Sequence, residues 1–259
     1  MGGAARLIVL GSGTAVPRAD RATSCYLVDD GAGLVLLVDC GPGALHRAAS
    51  AGYPLPCLDA VLLTHIHPDH CADLVAAQFA LRSPLGEPRP RPLLLYGHEA
   101  VGLLLARLRN AWPGWLAPGE DRLRSTTVEP GPVALPGRTQ AAAFRVAHHA
   151  SSLGWRLTLP DGFVLAFSGD ATEGADLVEL GRDADLFVLE AAVPAGSDVP
   201  GHLDPARAGR VAAACGARHL LLTHFYPAVL EQPIAALARQ GFEGRLTLAQ
   251  DGLVLPLTR

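Results

Sequence analysis

Short apolar runs separated by Gly, Pro and Asp clusters set the pattern of this chain. Arg6–Leu10, Cys25–Val28, Leu34–Val38, Ala60–Leu63 and Leu93–Tyr96 have the length and composition of buried strands. The same holds for Thr126–Glu129, Gln140–Ala147, Trp155–Leu159, Phe163–Phe167, Leu186–Leu189, His219–Leu222, Arg245–Leu248 and Leu253–Pro256. Helical patterning falls on Ala44–Ala51, Ala72–Leu81, Ala100–Asn110, Ala175–Leu180, Pro205–Cys215 and Ala228–Gln240. Asp29–Gly33 and Pro160-Asp161-Gly162 read as hairpin turns. Glu87–Pro92 reads as a surface loop, and Ala111–Glu120, with two Trp among Pro and Gly, as a lip over a site.

Strands cluster first and then alternate with helices, in two rounds. Val61-Leu62-Leu63-Thr64-His65 is echoed by Leu220-Leu221-Leu222-Thr223-His224, which suggests two similar halves delivering strand ends to one edge. No linker or low-complexity stretch divides the chain, so one domain over 1–259 is expected.

Composition narrows the function. A net charge of −4 without blocks of like charge argues against a general nucleic-acid coat. The five Cys are odd in number and form no C-x-x-C pair, which argues against a disulfide framework or a thiolate zinc site. The N-terminal apolar stretch is too short for a signal peptide, and no run reaches membrane-span length, so a cytoplasmic protein with no membrane partner is expected.

The chemistry concentrates in Thr64-His65-Ile66-His67-Pro68-Asp69-His70, directly after an apolar strand. Four metal-competent side chains on so short a segment cannot all reach one ion, and they suit two adjacent ions better. His and Asp are ligands for zinc, with manganese or iron as alternatives. His148 or His149, Asp170 and His224 also lie at or just past the ends of apolar runs, where rigid strands can hold ligand geometry.

These motifs together resemble the metallo-β-lactamase superfamily, in particular its ribonuclease Z-like phosphodiesterase branch. The resemblance runs from Leu10-Gly11-Ser12-Gly13-Thr14 through Val38-Asp39-Cys40-Gly41-Pro42-Gly43, the H-x-H-x-D-H segment, Ser168-Gly169-Asp170-Ala171-Thr172 and Val188-Leu189-Glu190-Ala191 to Leu222-Thr223-His224. It implies an α+β fold, a four-layer αβ/βα sandwich of two mixed sheets flanked by helices. It implies one metal on His65, His67 and a downstream His, a second on Asp69, His70 and His224, and Asp170 bridging. The downstream His precedes a Gly-aromatic-Arg run, here Gly154-Trp155-Arg156, which selects His148 over His149. Asp39, Thr64 and Thr223 would support the ligands through hydrogen bonds.

The implied activity is hydrolysis of a small or cyclic phosphodiester by metal-bound hydroxide. Asp69 would orient the nucleophile, and His202, paired with Glu190, would protonate the leaving oxygen. Precursor tRNA is the less favoured substrate, because the interval Trp155 to Ser168 leaves no room for the tRNA-grasping arm of the bacterial enzymes. Hydrolysis of a lactone, ester or β-lactam is the other alternative, since the same nucleophile attacks a carbonyl and fold alone does not choose. Trp112 and Trp115 could stack a base, and Arg82, Arg89 and Arg91 could meet a phosphate. Relatives are often dimers, so a homodimer is also expected.

Overall fold

The computed structural model describes residues 3–86, 89–197 and 199–258. Glu87 and Pro88 of the expected surface loop lie outside them. Two seven-stranded mixed sheets pack face to face. The first contains β1 (Arg6–Gly11), β2 (Cys25–Asp29), β3 (Val35–Val38), β4 (Ala60–Leu62), β5 (Leu93–Gly97) and β6 (Leu123–Thr127). Helices α1 (Ala44–Ser50), α2 (Pro68–Cys71), α3 (Leu74–Arg82) and α4 (Glu99–Ala111) belong to this half. The second contains β7 (Gly131–Val133), β8 (Gln140–Arg145), β9 (Leu153–Thr158), β10 (Val164–Phe167), β11 (Leu186–Glu190), β12 (His219–Thr223) and β13 (Arg245–Leu248). It carries α5 (Ala175–Gly181), α6 (Pro205–Ala214), α7 (Pro227–Leu230) and α8 (Ile234–Ala238). The chain then returns to the first sheet, where β14 (Val254–Pro256) pairs with β1.

Three cores explain why the central strands are apolar at every position. Leu36, Val38 and Leu62 face Trp155, Leu165, Phe167 and Val188 between the sheets. The alternate residues Leu37, Val61 and Leu63 face outward onto Ala44, Ala48, Leu74, Val101 and Leu105 of the helices. Phe187, Leu189, Leu220 and Leu222 do the same against Leu177, Ala208 and Ala212. A strand buried on both faces needs a continuous apolar run, and the helix–sheet–sheet–helix layering follows.

Each sheet runs through three antiparallel pairings and then three parallel ones, from β14 to β6 and from β7 to β13. The two halves therefore repeat one plan. In that plan β4 corresponds to β11, and β12 to β5, so the shared Leu-Thr-His ending sits on non-equivalent strands. Both endings nevertheless reach the same edge of the sandwich.

Several boundaries differ from expectation. His67 caps a helical turn that begins at Pro68, so Asp69 and His70 are helical rather than part of a loop. The expected helix Ala228–Gln240 breaks between Leu230 and Ile234, where Pro233 supplies no N–H. β7 carries Pro132 and is tolerated only because it is an edge strand. β6 is an edge strand with a single buried residue, Leu123, and spans Leu123–Thr127 rather than Thr126–Glu129. Among the described residues no helix is long and apolar enough to cross a membrane.

Gly209 lets α6 lie directly on α8, since a Cβ there would stand 2.2 Å from the Ala238 carbonyl oxygen. Backbone cannot yield as a side chain does. Gly209→Ala should therefore cost about 1–3 kcal/mol, lowering Tm by roughly 3–10 °C in thermal denaturation.

Candidate metal centre

The ends of β3, β4, β10, β11 and β12 converge at one edge, and the chain turns sharply there. Asp39, Gly169 and His224, just beyond β3, β10 and β12, take left-handed φ values of 63°, 60° and 59°. For Asp39 and His224 this conformation costs on the order of 1–2 kcal/mol each. Gly169 is also a point of close approach, because a Cβ there would stand 2.6 Å from Thr64 Cβ.

Local geometry sorts the ligand segment into two groups. His65 and His67 are two residues apart in non-helical chain and share a face, whereas the turn of α2 swings Asp69 and His70 elsewhere. His65, His67, His148 and Asp170 form one set of atoms able to hold a metal ion, and Asp69, His70 and His224 form a second. In the first, His67 Nδ1 lies 3.0 Å from His65 Nε2 and 3.1 Å from His148 Nε2. Asp170 Oδ2 stands 3.9 and 3.7 Å from the Nε2 atoms of His65 and His148. In the second, His70 Nε2 and His224 Nε2 are 3.2 Å apart. Each is 3.3 Å from Asp170 Oδ1, and Asp69 Oδ2 is 3.8 and 3.5 Å away. Asp170 thus reaches both groups, one oxygen to each.

The outer hydrogen bonds fix which ring nitrogens carry protons. Asp39 accepts from His70 Nδ1 at 2.7 Å. It also accepts from the Thr64 hydroxyl, which leaves that oxygen to accept from His65 Nδ1 at 3.0 Å. The Gly201 carbonyl accepts from His148 Nδ1 at 3.0 Å. All three rings therefore turn an Nε2 lone pair inward when neutral. His65 Nε2, His148 Nε2 and His67 Nδ1 can share at most one proton. Asp170 Oδ1, buried, has no hydrogen-bond donor among the described residues.

Burial drives the pKa values of His65, His67 and His148 below the usual range, which favours their neutral imidazole forms. Burial also disfavours charge on His70, but Asp170 and Asp39 outweigh it and push His70 upward. Burial would raise Asp170 too, yet His224 and His70 hold it well below the ordinary carboxylate value. Convergent lone pairs around an unprotonated carboxylate repel one another unless a cation lies between them. Neutral imidazole and carboxylate are the donors that zinc-like ions take, so the residues suit a pair of divalent cations.

His149 belongs to neither group. Its Nδ1 is tied to Ser151, at 2.8 Å from the hydroxyl and 3.2 Å from the donating backbone N–H. Glu190, at the end of β11, lies beside the cluster, and its Oε1 accepts from His202 Nδ1 at 2.9 Å. The His202 ring is 4.7 Å from that of His148. Asp204 caps α6 by accepting from the backbone N–H groups of Ala206 and Arg207 at 2.8 and 2.9 Å. Sequence reasoning did not single out Tyr226, whose ring lies 6.0 Å from His224 and 6.5 Å from His202; its only signal is its place two residues after His224. Arg89 and Arg91 instead bind Leu58 and Leu55 carbonyls and Asp59, so they hold the chain rather than a phosphate. Trp115 packs on Phe79 with ring centroids 5.9 Å apart.

Two sheets carrying paired His/Asp sets at one edge define a metallo-hydrolase centre. A family model described as a beta-lactamase superfamily domain matches residues 35–225. The probable metallo-hydrolase YhfI of Bacillus subtilis is 30% identical, with 96% of this chain and 98% of that protein covered. Its crystal structure superposes with a TM-score of 0.83 at 27% identity, covering 97% of this chain and 98% of the other. Ribonuclease Z of Mycolicibacterium paratuberculosis is 32% identical, with 94% of this chain and 95% of that enzyme covered. The chain belongs to the beta-lactamase superfamily and is a metal-dependent hydrolase.

The different surroundings of the adjacent histidines yield a direct test. His148→Ala should reduce bound metal from about two ions per chain to about one, measured by elemental analysis after dialysis. His149→Ala should retain both.

Proposed function

We propose that this hydrolase cleaves a small or cyclic phosphodiester. His65, His67 and His148 would hold one cation and Asp69, His70 and His224 the other, with Asp170 within reach of both. Zinc is the proposed metal, with manganese or iron as substitutes. Such a pair supplies Lewis acidity, acidifying water toward neutral pH and attracting an anionic ester. Asp69 contributes a carboxylate at the site and orients the attacking water.

The observation that carries the reading is the Glu190–His202 pair. Glu190 accepts from the backbone N–H groups of Ala171 and Ala192, both at 2.9 Å, and of Leu203 at 3.3 Å. Burial raises the Glu190 pKa. The three N–H donors nevertheless favour its carboxylate, so the proton of the pair resides on His202. Burial opposes that proton, but the hydrogen bond and charge of Glu190 prevail and raise the His202 pKa. His202 is thus a general acid that stays loaded above the usual imidazole range, suited to a poor alkoxide leaving group.

The short β9–β10 hairpin supports a small substrate. Thr158 pairs with Val164 across the turn, with no insertion between the strands. That favours a compact ester over a folded RNA. The 32% identity to a ribonuclease Z keeps RNA 3′-end processing as the second reading. Unpaired cysteines support a cytoplasmic setting, and the half-exposed Phe79, Trp112 and Trp115 support a homodimer.

A panel of bis-p-nitrophenyl phosphate, cyclic nucleotides, a lactone, nitrocefin and precursor tRNA tests the substrate. Turnover of the small phosphodiesters is expected, and turnover of the lactone alone would reject the proposal. His202→Ala should lower kcat by about 10²–10⁴-fold with metal content intact. The acid form is needed, so activity should decline as pH rises through the raised His202 pKa. Glu190→Gln removes the raising charge and should move that alkaline limb to lower pH.

A further inference from the structure

Each inward-facing Nε2 is backed by a partner on the opposite nitrogen, with one exception. Asp39 backs His70, Thr64 backs His65, and the Gly201 carbonyl backs His148. His224 Nδ1 is buried and has no hydrogen-bond partner among the described residues. Its ring stacks on that of His70, with centroids 5.1 Å apart, and its Nε2 is directed to the second ligand group. Its backbone is in the left-handed region at φ 59°, so the ring is not held by ordinary strand geometry.

Beneath the ligands, between the two sheets, lies a cavity of about 10 Å³. Ser24, Tyr26, Asp170, Glu190, Thr223 and His224 line it, and all six are less than 5% exposed. That volume accommodates one water molecule, which also needs two or more polar partners. The partners are present. Tyr26 and Thr223 bring their hydroxyls within 2.7 Å of each other across the sheets. Ser24 is a further hydroxyl partner of Tyr26, so three hydroxyl groups carry three protons, their two contacts use two, and one still needs an acceptor.

We propose that this cavity is a site for a single structural water, which accepts from His224 Nδ1 and from the Tyr26–Thr223 hydroxyl pair. The water does for His224 what Asp39 does for His70. It sets the tautomer with Nδ1 protonated and leaves the Nε2 lone pair for the second cation. Tyr26, on β2, thereby becomes a positioning residue for a ligand on the other sheet, although it touches neither substrate nor cation. The inference rests on the assignment of His224 as a ligand in the proposed function.

A high-resolution crystal structure of the purified protein reads the water directly. Expected is an ordered peak roughly 2.7–3.2 Å from His224 Nδ1 and from a Tyr26 or Thr223 hydroxyl. An empty cavity, or a protein group bonded to Nδ1, would overturn the proposal. Metal titration of Tyr26→Phe supplies an independent readout. The affinity for the second ion should fall by about 10–100-fold while the first is unchanged. Equal loss at both ions, or no loss at either, would contradict the positioning role. Should Tyr26→Phe not fold, Thr223→Val serves in the same titration and the wild-type density still decides. A metal-free crystal keeps the two readings apart: the peak reports the water, whereas failure to bind any metal would reject only the ligand assignment.

Discussion

One buried carboxylate organises this molecule. Asp170 turns one oxygen toward the His65–His67–His148 group and the other toward His70 and His224, and its buried Oδ1 has no hydrogen-bond partner among the described residues. A charge in that position is tolerable only opposite positive charge. The sandwich delivers the compensating geometry, because the ends of strands from both sheets meet above the same inter-sheet core. The strained turns at Asp39 and His224 are the local cost of aiming those ends inward.

Around that carboxylate, specificity resides in the back side of each ring. Nδ1 contacts from Asp39, Thr64 and Gly201 decide which lone pair faces the centre, and the contact of Ser151 withdraws His149 from it. Asp39 reaches His70 directly and His65 through Thr64, so one residue just beyond β3 orients a ring of each group. The proposed acid pair is held in the same manner. Backbone donors pin Glu190, the Glu190 carboxylate lies on His202 Nδ1 and raises its pKa, and the loop before α6 holds that ring beside His148.

Much of this was legible in the chain because the determinants are local. Double-sided burial demands uninterrupted apolar runs, so the central strands announced themselves, and the ligands follow them within a few residues. Edge strands β6 and β7 bury little and carry no such pattern. The helical turn at Pro68 was hidden inside the ligand segment, and the break at Pro233 depended on one imino acid overriding an otherwise helical stretch. Long-range hydrogen bonds were not legible at all. Nothing in Gly201 marks its carbonyl as the anchor of His148, 53 positions away, and Tyr26 meets Thr223 across a separation of 197 residues. The repeated Thr-His ending pointed to one shared edge, and in the repeated plan its two strands, β4 and β12, occupy different positions.

The most direct test of the account is anomalous diffraction at the absorption edge of the bound metal. Two peaks should lie roughly 3.5–4 Å apart on either side of the Asp170 carboxylate, one against His65, His67 and His148 and the other against His70 and His224. A single peak, or peaks remote from Asp170, would contradict it.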